Sequence, residues 1–187
     1  MLRVVGGQWK GRRVPVPKGR NTRPALERVR EAVFSALEHR GLVEGREVVD
    51  LYAGSGSLGI EALSRGAARA VFVEYDERTA QALRKTLEGL EPDRERWRVT
   101  RAKVETWLGQ GPWSPGPLLI LMDPPFPLWD GGKLVADLFG EHGLPADAVL
   151  VSELPSRVEP VIPPNLELWE SKRYGDSRVL FLSSKTS

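Results

Sequence analysis

Residues 48–74 read VVDLYAGSGSLGIEALSRGAARAVFVE. An apolar run, a glycine turn, an apolar stretch at helical spacing and a second apolar run follow one another. Strand, turn, helix and strand in that order make a parallel βαβ unit. Gly54, Gly56 and Gly59 spell G-x-G-x-x-G at the first junction. Glycines there allow a tight turn and let a ligand approach backbone at a helix N-terminus. The pattern alone is weak, because a plain strand–helix turn can spell the same letters.

Working outward, the alternation continues. Strands are expected over 46–53, 68–75, 96–102, 118–123 and 147–154, and helices over 57–66, 76–90, 103–109 and 131–143. The segments VFV and LLILM are apolar throughout, as suits strands buried on both faces. Residues 109–117 read as a loop, and 166–184 as a hairpin turning near Tyr174–Ser177. Upstream, Leu26, Val29, Val33, Ala36 and Leu37 recur at helical spacing. One helix is expected over 24–40, with Thr22 before it, Pro24 in its first turn and Gly41 at its stop. Residues 3–16 suggest a hairpin or loose ribbon, and 17–22 a linker. The expected fold class is α/β: a mostly parallel twisted sheet with helices on both faces, an antiparallel C-terminal hairpin and an N-terminal β-hairpin extension. We divide it as a basic arm, 1–22, and a main domain, 23–187.

Composition narrows the chemistry. The 187 residues suffice for one core. No apolar run approaches the roughly 20 residues of a membrane span, and the N-terminus lacks the apolar stretch of a signal peptide. A cytoplasmic protein is expected. There is no cysteine, and the two histidines, His39 and His142, are far apart in sequence. That excludes disulfides, thiolate nucleophiles and Cys-ligated zinc, and disfavours a His-based triad or metal site. Chemistry falls to carboxylates, backbone groups or a bound cofactor. Residues 1–40 hold ten Lys and Arg against three Glu, a local balance of +7 within an overall +2. A segregated basic arm points to a polyanion partner, the alternative being a solvated basic face. The excess of Arg over Lys is compatible with a thermophile or with a GC-rich genome.

In an open parallel sheet, ligands sit beyond the carboxyl ends of the strands. Asp50 and Glu74 fall there. Glu74 ends the strand after the glycines, where an acid can accept hydrogen bonds from both hydroxyls of a nucleoside ribose. NAD and S-adenosylmethionine both carry such a ribose. Asp50, just ahead of the glycines, would repel a pyrophosphate and suit an ammonium and a sulfonium. The plainer alternatives are a turn cap for Asp50 and a helix-capping role, shared with Asp76, for Glu74.

The strand LLILM ends in Asp123-Pro124-Pro125-Phe126 on the same sheet edge. DPP is a common turn sequence. D/N-P-P followed by an aromatic is also the signature of amino-methyltransferases, which act on a nitrogen whose lone pair is spread into a planar system. The Asp123 carboxylate and the Pro124 carbonyl can accept its two N–H groups and offset the positive charge that grows during transfer. The Pro-Pro step fixes the backbone, Phe126 can stack on a base, and a base in folded nucleic acid must be flipped out to arrive.

With these residues assembled, the chain resembles the RsmD family of bacterial 16S rRNA guanine-N2 methyltransferases. The resemblance is carried by RVVGGQWKGRRVPVP (3–17), TRPALERVREAVFSAL (22–37), DLYAGSGSLGIEALSRGA (50–67) with Glu74 after it, MDPPF (122–126) and RYGDSRVLFL (173–182). It implies a class I, Rossmann-like methyltransferase fold, S-adenosylmethionine as donor, and methylation of guanine 966 (ribosomal RNA numbering) in 16S rRNA, free or within the 30S subunit or an assembly intermediate, by a monomer. It assigns Asp123, Pro124, Pro125 and Phe126 to catalysis, and Asp50, Ala53, Gly54, Gly56 and Glu74 to the cofactor. Arg3, Lys10, Arg12, Arg13, Lys18, Arg20 and Arg23 become candidates for rRNA phosphates, and Tyr174 for the base pocket. Trp9 either stacks on a base or anchors the hairpin. Arg28 and Arg30 follow the family pattern. One departure stands out: the region after the third strand, RVTRAKVETW, has no acid at the place where many class I enzymes meet the adenine amine. Backbone atoms of Ala102 or Lys103 are expected there instead.

Three other readings remain: an N-methyltransferase for adenine N6 or protein glutamine, an NAD-dependent oxidoreductase, and a non-catalytic RNA-binding module. The last leaves DPPF unexplained, and the oxidoreductase conflicts with Asp50 and lacks a suitable proton-donating histidine.

Overall fold

The apolar runs pair as one seven-stranded sheet in a computed structural model that describes residues 1–15, 24–91, 93–110, 116–140 and 144–185. The linker 17–22, Thr22, most of the 109–117 loop and the last residues of the expected 131–143 helix lie outside the described residues. In chain order the elements are β1 (Leu2–Arg3), β2 (Arg13–Val14), α1 (Pro24–His39), β3 (Glu47–Leu51), α2 (Ser57–Ser64), β4 (Arg69–Glu74), α3 (Glu77–Leu90), β5 (Trp97–Arg101), α4 (Val104–Leu108), β6 (Leu118–Met122), α5 (Leu134–Phe139), β7 (Val149–Pro155), β8 (Leu166–Tyr174) and β9 (Ser177–Ser184).

The sheet order is β5-β4-β3-β6-β7-β9-β8. β5, β4, β3, β6 and β7 are parallel, and β9 and β8 close the sheet antiparallel. The chain runs outward from β3 through β4 to β5, then returns to the other side of β3 as β6. That reversal is the topological switch point, where a crevice opens beyond the strand ends. The glycine turn follows β3 and DPPF follows β6, so the two motifs flank it.

Side-chain alternation splits the core in two. On one face Val48, Phe72, Leu119, Leu121, Val151 and Phe181 pack with Phe34 and Leu37 of α1, Ile60 and Leu63 of α2, and Leu83 and Leu87 of α3. On the other, Val49, Leu51, Val73, Ile120, Met122 and Leu150 meet Val104 and Leu108 of α4 and Leu134, Leu138 and Phe139 of α5. β6 is buried at every position because its residues alternate between these two cores. Each fully buried Leu or Phe contributes roughly 1.5–3 kcal/mol.

Two expectations are refined. The expected helix over 131–143 is shorter: a 3-10 helix, Phe126–Gly132, follows Pro125 and α5 begins only at Leu134. Two prolines and two glycines within residues 125–132 favour short turns over continuous α-helix. Second, of the hairpin and the loose ribbon expected at the N-terminus the hairpin forms, and it packs on the main body. β1 and β2 form a minimal antiparallel pair around a 3-10 turn, Gly7–Trp9. Val4, Trp9 and Val14 join the core under α1 and α2. Trp9 N–H donates to Ser64 Oγ at 2.9 Å, and Ser64 Oγ donates to the Gly6 carbonyl at 2.6 Å.

Candidate active site

The glycine turn is held from both sides by carboxylates. Gly54 and Gly56 take φ +56° and +76°, in the left-handed region, so residues with a Cβ would be strained there. At Gly59 the demand is space: a Cβ would stand 2.3 Å from the Phe72 ring. Asp50, buried at the end of β3, accepts the Gly59 N–H at 2.9 Å. It thereby caps the first turn of α2 with a carboxylate, at the place where a dinucleotide pyrophosphate would seek the same amides. That occupation argues against the oxidoreductase reading and supports the turn-cap alternative for Asp50.

Glu74 holds the opposite side. Its Oε2 accepts from Gly54 N–H and its Oε1 from Asp76 N–H, both at 2.8 Å. A carboxylate offers about four lone-pair sites, so each oxygen retains capacity for a ribose hydroxyl. Asp76 in turn caps α3, accepting from the Thr79 N–H and hydroxyl. The helix cap thus belongs to Asp76, and Glu74 is left to the turn and the crevice.

The crevice encloses about 450 Å³. Tyr52, Val73, Glu74 and Tyr75 line one wall, Ala102, Lys103, Val104 and Glu105 the next, and Pro125 and Leu128 close it. Three elements therefore bring Glu74, Ala102, Lys103 and Pro125 to one cavity. Ala102 is fixed by its N–H on the Glu74 carbonyl at 3.1 Å, and the Lys103 ammonium lies 5.7 Å from the centre of the Tyr75 ring. Ala53 is fixed by its N–H on the Val73 carbonyl. Apolar walls, an aromatic, and one carboxylate beside the glycine turn fit the adenosine half of the expected S-adenosylmethionine.

Sequence reasoning missed Tyr52, Tyr75, Glu105 and Leu128. Tyr52 adopts φ +58°, rare for a residue with a Cβ and of order 1–3 kcal/mol in strain. Its hydroxyl lies 3.4 Å from Glu105 Oε1. Burial chiefly, with the nearby Glu105 charge and that bond, raises the phenol well above its ordinary range. The one available signal was its place between Asp50 and the glycines. Glu105 brings a carboxylate to the crevice wall from the start of α4, beyond Ala102 and Lys103.

At the end of β6, Pro124 is buried while Asp123, Pro125 and Phe126 are exposed, Phe126 by 44%. The Pro125 carbonyl accepts from Leu128 N–H at 2.9 Å. Strand register brings Tyr174 to this edge: it pairs with Ser177, which pairs with Pro155 at the end of β7. Tyr174 is part-buried against the first core.

The basic residues divide. Lys10, Arg12 and Arg13 are exposed. Arg3 pairs with Glu27 at 3.0 Å. Arg30 is buried, pairs with Glu61 at 3.3 Å and donates to the Arg3 carbonyl at 2.6 Å. Desolvation lowers its pKa, against the pull of Glu61. Trp9 is buried, so it anchors the hairpin and has no face for a base. Lys18, Arg20 and Arg23 lie outside the described residues. Among the described residues no group of acids and histidines could hold a metal, and no helix is long and apolar enough to cross a membrane.

Known proteins are similar to this chain in sequence and in fold. The chain is 36% identical over 179 residues to ribosomal RNA small subunit methyltransferase D of Escherichia coli, covering 93% of this chain and 85% of that one. The Haemophilus influenzae protein of the same name is 32% identical, over 93% and 89%. A solved structure, a putative methyltransferase (yhhF) from Escherichia coli, superposes with TM-score 0.79 at 32% identity over 100% of this chain and 99% of that one. The family model described as conserved hypothetical protein 95 matches residues 2–183. With the glycine turn, the acid after β4 and DPPF all in place on this fold, the chain belongs to the ribosomal RNA small subunit methyltransferase D family.

Proposed function

We propose that this chain transfers a methyl group from S-adenosylmethionine to the exocyclic N2 of guanine 966 in 16S rRNA, acting as a cytoplasmic monomer on the 30S subunit or an assembly intermediate. The observation that carries the reading is the shared crevice: Pro125 of DPPF closes the same cavity that Glu74, Ala102 and Lys103 line. That shared cavity supports bringing a nucleoside cofactor and a planar amine to one strand edge.

S-Adenosylmethionine, when bound, supplies an electrophilic methyl on a sulfonium. The remaining work falls to this chain. Glu74 accepts the ribose hydroxyls, and the crevice walls hold the adenine. The Asp123 carboxylate and the Pro124 carbonyl accept the two N2–H groups, which aims the nitrogen lone pair and offsets charge as the N–C bond forms and the methyl–sulfur bond breaks, with S-adenosylhomocysteine leaving. The Asp123 carboxylate is placed to take the one N2 proton that the product sheds. Phe126 covers the flipped base, with Tyr174 from the β8–β9 turn on the same edge. Positioning is the main contribution, because an in-line displacement needs little beyond aligned reactants. Lys10, Arg12, Arg13 and Arg28 are exposed and join no ion pair among the described residues, which suits them to rRNA phosphates, with Lys18, Arg20 and Arg23 as further candidates.

The test is tritiated methyl transfer to 30S particles lacking the modification, with the product nucleoside identified by mass spectrometry. N2-methylguanosine at position 966 is the expected product. Label in N6-methyladenosine, or none despite tight S-adenosylhomocysteine binding, would overturn the choice of guanine while leaving the cofactor assignment.

A further inference from the structure

β7 carries a carboxylate that the steps above do not use. Ser152 of β7 is in register with Met122, the residue before Asp123. Glu153 therefore stands level with Asp123 on the neighbouring strand, and adjacent strands lie roughly 4.8 Å apart. Alternation along β7 puts Glu153 on the face of Val151, and its cross-strand partner is Val179 of the same core. It is part-buried at the carboxyl edge, bonded to the Ser177 hydroxyl three residues from Tyr174.

Other buried carboxylates here have structural duties: Asp50 caps α2, Glu61 pairs with Arg30 and Arg65, and Glu91 pairs with Arg96. Glu153 joins no ion pair among the described residues. Burial raises its carboxyl above the ordinary range, only partly offset by Ser177. Holding an acid there works against stability, which is the pattern of a functional position.

We propose that Glu153 accepts the N1–H of the target guanine and thereby selects guanine over bases without that donor. This rests on the N2 reading above. Guanine presents N1–H and the N2 amine side by side on its Watson–Crick edge. Two carboxylates on adjacent strands match two adjacent donors, Asp123 for N2 and Glu153 for N1. Adenine presents a lone pair at N1, which an ionised Glu153 repels.

The experiment compares an rRNA substrate carrying guanine at the methylated position with one carrying 2-aminopurine, which keeps the N2 amine and loses the N1–H. Leaving a buried acceptor unpaired costs about 1–3 kcal/mol. Wild-type enzyme is therefore expected to prefer guanine in kcat/KM by roughly 5- to 150-fold. In Glu153→Gln the amide can donate to the 2-aminopurine N1, so the preference should fall to within about threefold. 2-Aminopurine also lacks O6, but a preference arising at O6 would survive Glu153→Gln unchanged. Equal wild-type rates on both bases, or an unchanged preference in the variant, overturns the assignment. The wild-type comparison needs no variant to fold. If wild-type enzyme makes no N2-methylguanosine, the N2 reading itself has failed. If it does and the preference ignores Glu153, only this inference has.

Discussion

Glu74 Oε2 accepts the Gly54 N–H at 2.8 Å, so one carboxylate at the end of β4 fixes the glycine turn at the end of β3. The acid proposed to hold the ribose is thereby part of the turn that shapes its own pocket. Glu74→Gln keeps one acceptor oxygen and sets an amide NH2 against one of the two backbone N–H groups that each now meet a carboxylate oxygen. It should weaken S-adenosylhomocysteine binding by roughly tenfold or more, since hydrogen bonds to a charged group contribute about 1.5–3 kcal/mol. Calorimetric titration checks this. Affinity within twofold of wild type would remove Glu74 from the site.

Asp123→Ala should lower kcat by roughly a hundredfold or more, the scale for removing one aligned partner of developing charge. S-Adenosylhomocysteine affinity should hold, because the crevice is walled by other residues. Asp123→Asn keeps one acceptor and should fall between the two. Single-turnover rates with the product nucleoside identified separate these cases. Turnover of Asp123→Ala within tenfold of wild type would mean that another group accepts the amine.

The parallel core was legible because VFV and LLILM leave no polar face, and a strand with none must be covered on both sides. Glu74 and DPPF were legible because strand ends map to one sheet edge. Trp9 was ambiguous, since a Trp among arginines looks alike whether it meets a base or a core. Only the packing under α1 and α2 decides. Tyr52 and Glu105 were hidden for a related reason. Each reaches the crevice through a backbone turn, φ +58° at Tyr52 and the start of α4 at Glu105, and no periodicity marks a turn. Glu153 was overlooked because an acid in an apolar strand carries no spacing signal, and its level with Asp123 comes from the register of β6 on β7.

Glu61 should be a keystone of stability. It is 1% exposed and accepts from the Val5 N–H, Arg30 and Arg65. Glu61→Ala leaves Arg30 buried without its anion and Val5 N–H without an acceptor. Removing one partner of a buried pair costs about 3–5 kcal/mol. Chemical denaturation should register that loss, and protease should cut the first fifteen residues sooner. A loss below about 1 kcal/mol would show that the ribbon relaxes and lets water reach Arg30.

Replacing Lys10, Arg12 and Arg13 together by Ala should weaken rRNA binding without moving cofactor affinity. Each phosphate contact contributes about 0.7–0.9 to the slope of log affinity against log salt. Three lost contacts should flatten that slope by about 2–3. Arg3→Ala should do less, because its guanidinium is shared with Glu27. Deleting the segment is the poorer test, since Val4, Trp9 and Val14 would leave the core with it. An unchanged slope in the triple variant would place the rRNA surface elsewhere.

Two carboxylates should bend the pH–stability curve in opposite directions. Thr79, through its hydroxyl and its N–H, holds Asp76 below the ordinary carboxylate range. A lowered native pKa adds stability above the unfolded value, about 3.9 for Asp, and that stability is lost as pH falls through the native value. Asp76→Ala should therefore trail wild type in melting temperature at neutral pH and converge with it in acid. Glu153 is the reverse case, raised by burial against the smaller pull of Ser177. Its contribution is fully present below the unfolded value, about 4.3 for Glu, and is lost as pH rises through the raised native value. Glu153→Gln avoids that loss, so it should gain on wild type as pH rises from acid to neutral. Melting curves of the three proteins from about pH 3.5 to 8 span both unfolded values. If Glu153→Gln runs parallel to wild type throughout, the carboxyl ionises as freely as in water. The edge of β7 would then be wetter than its packing against Val179 implies.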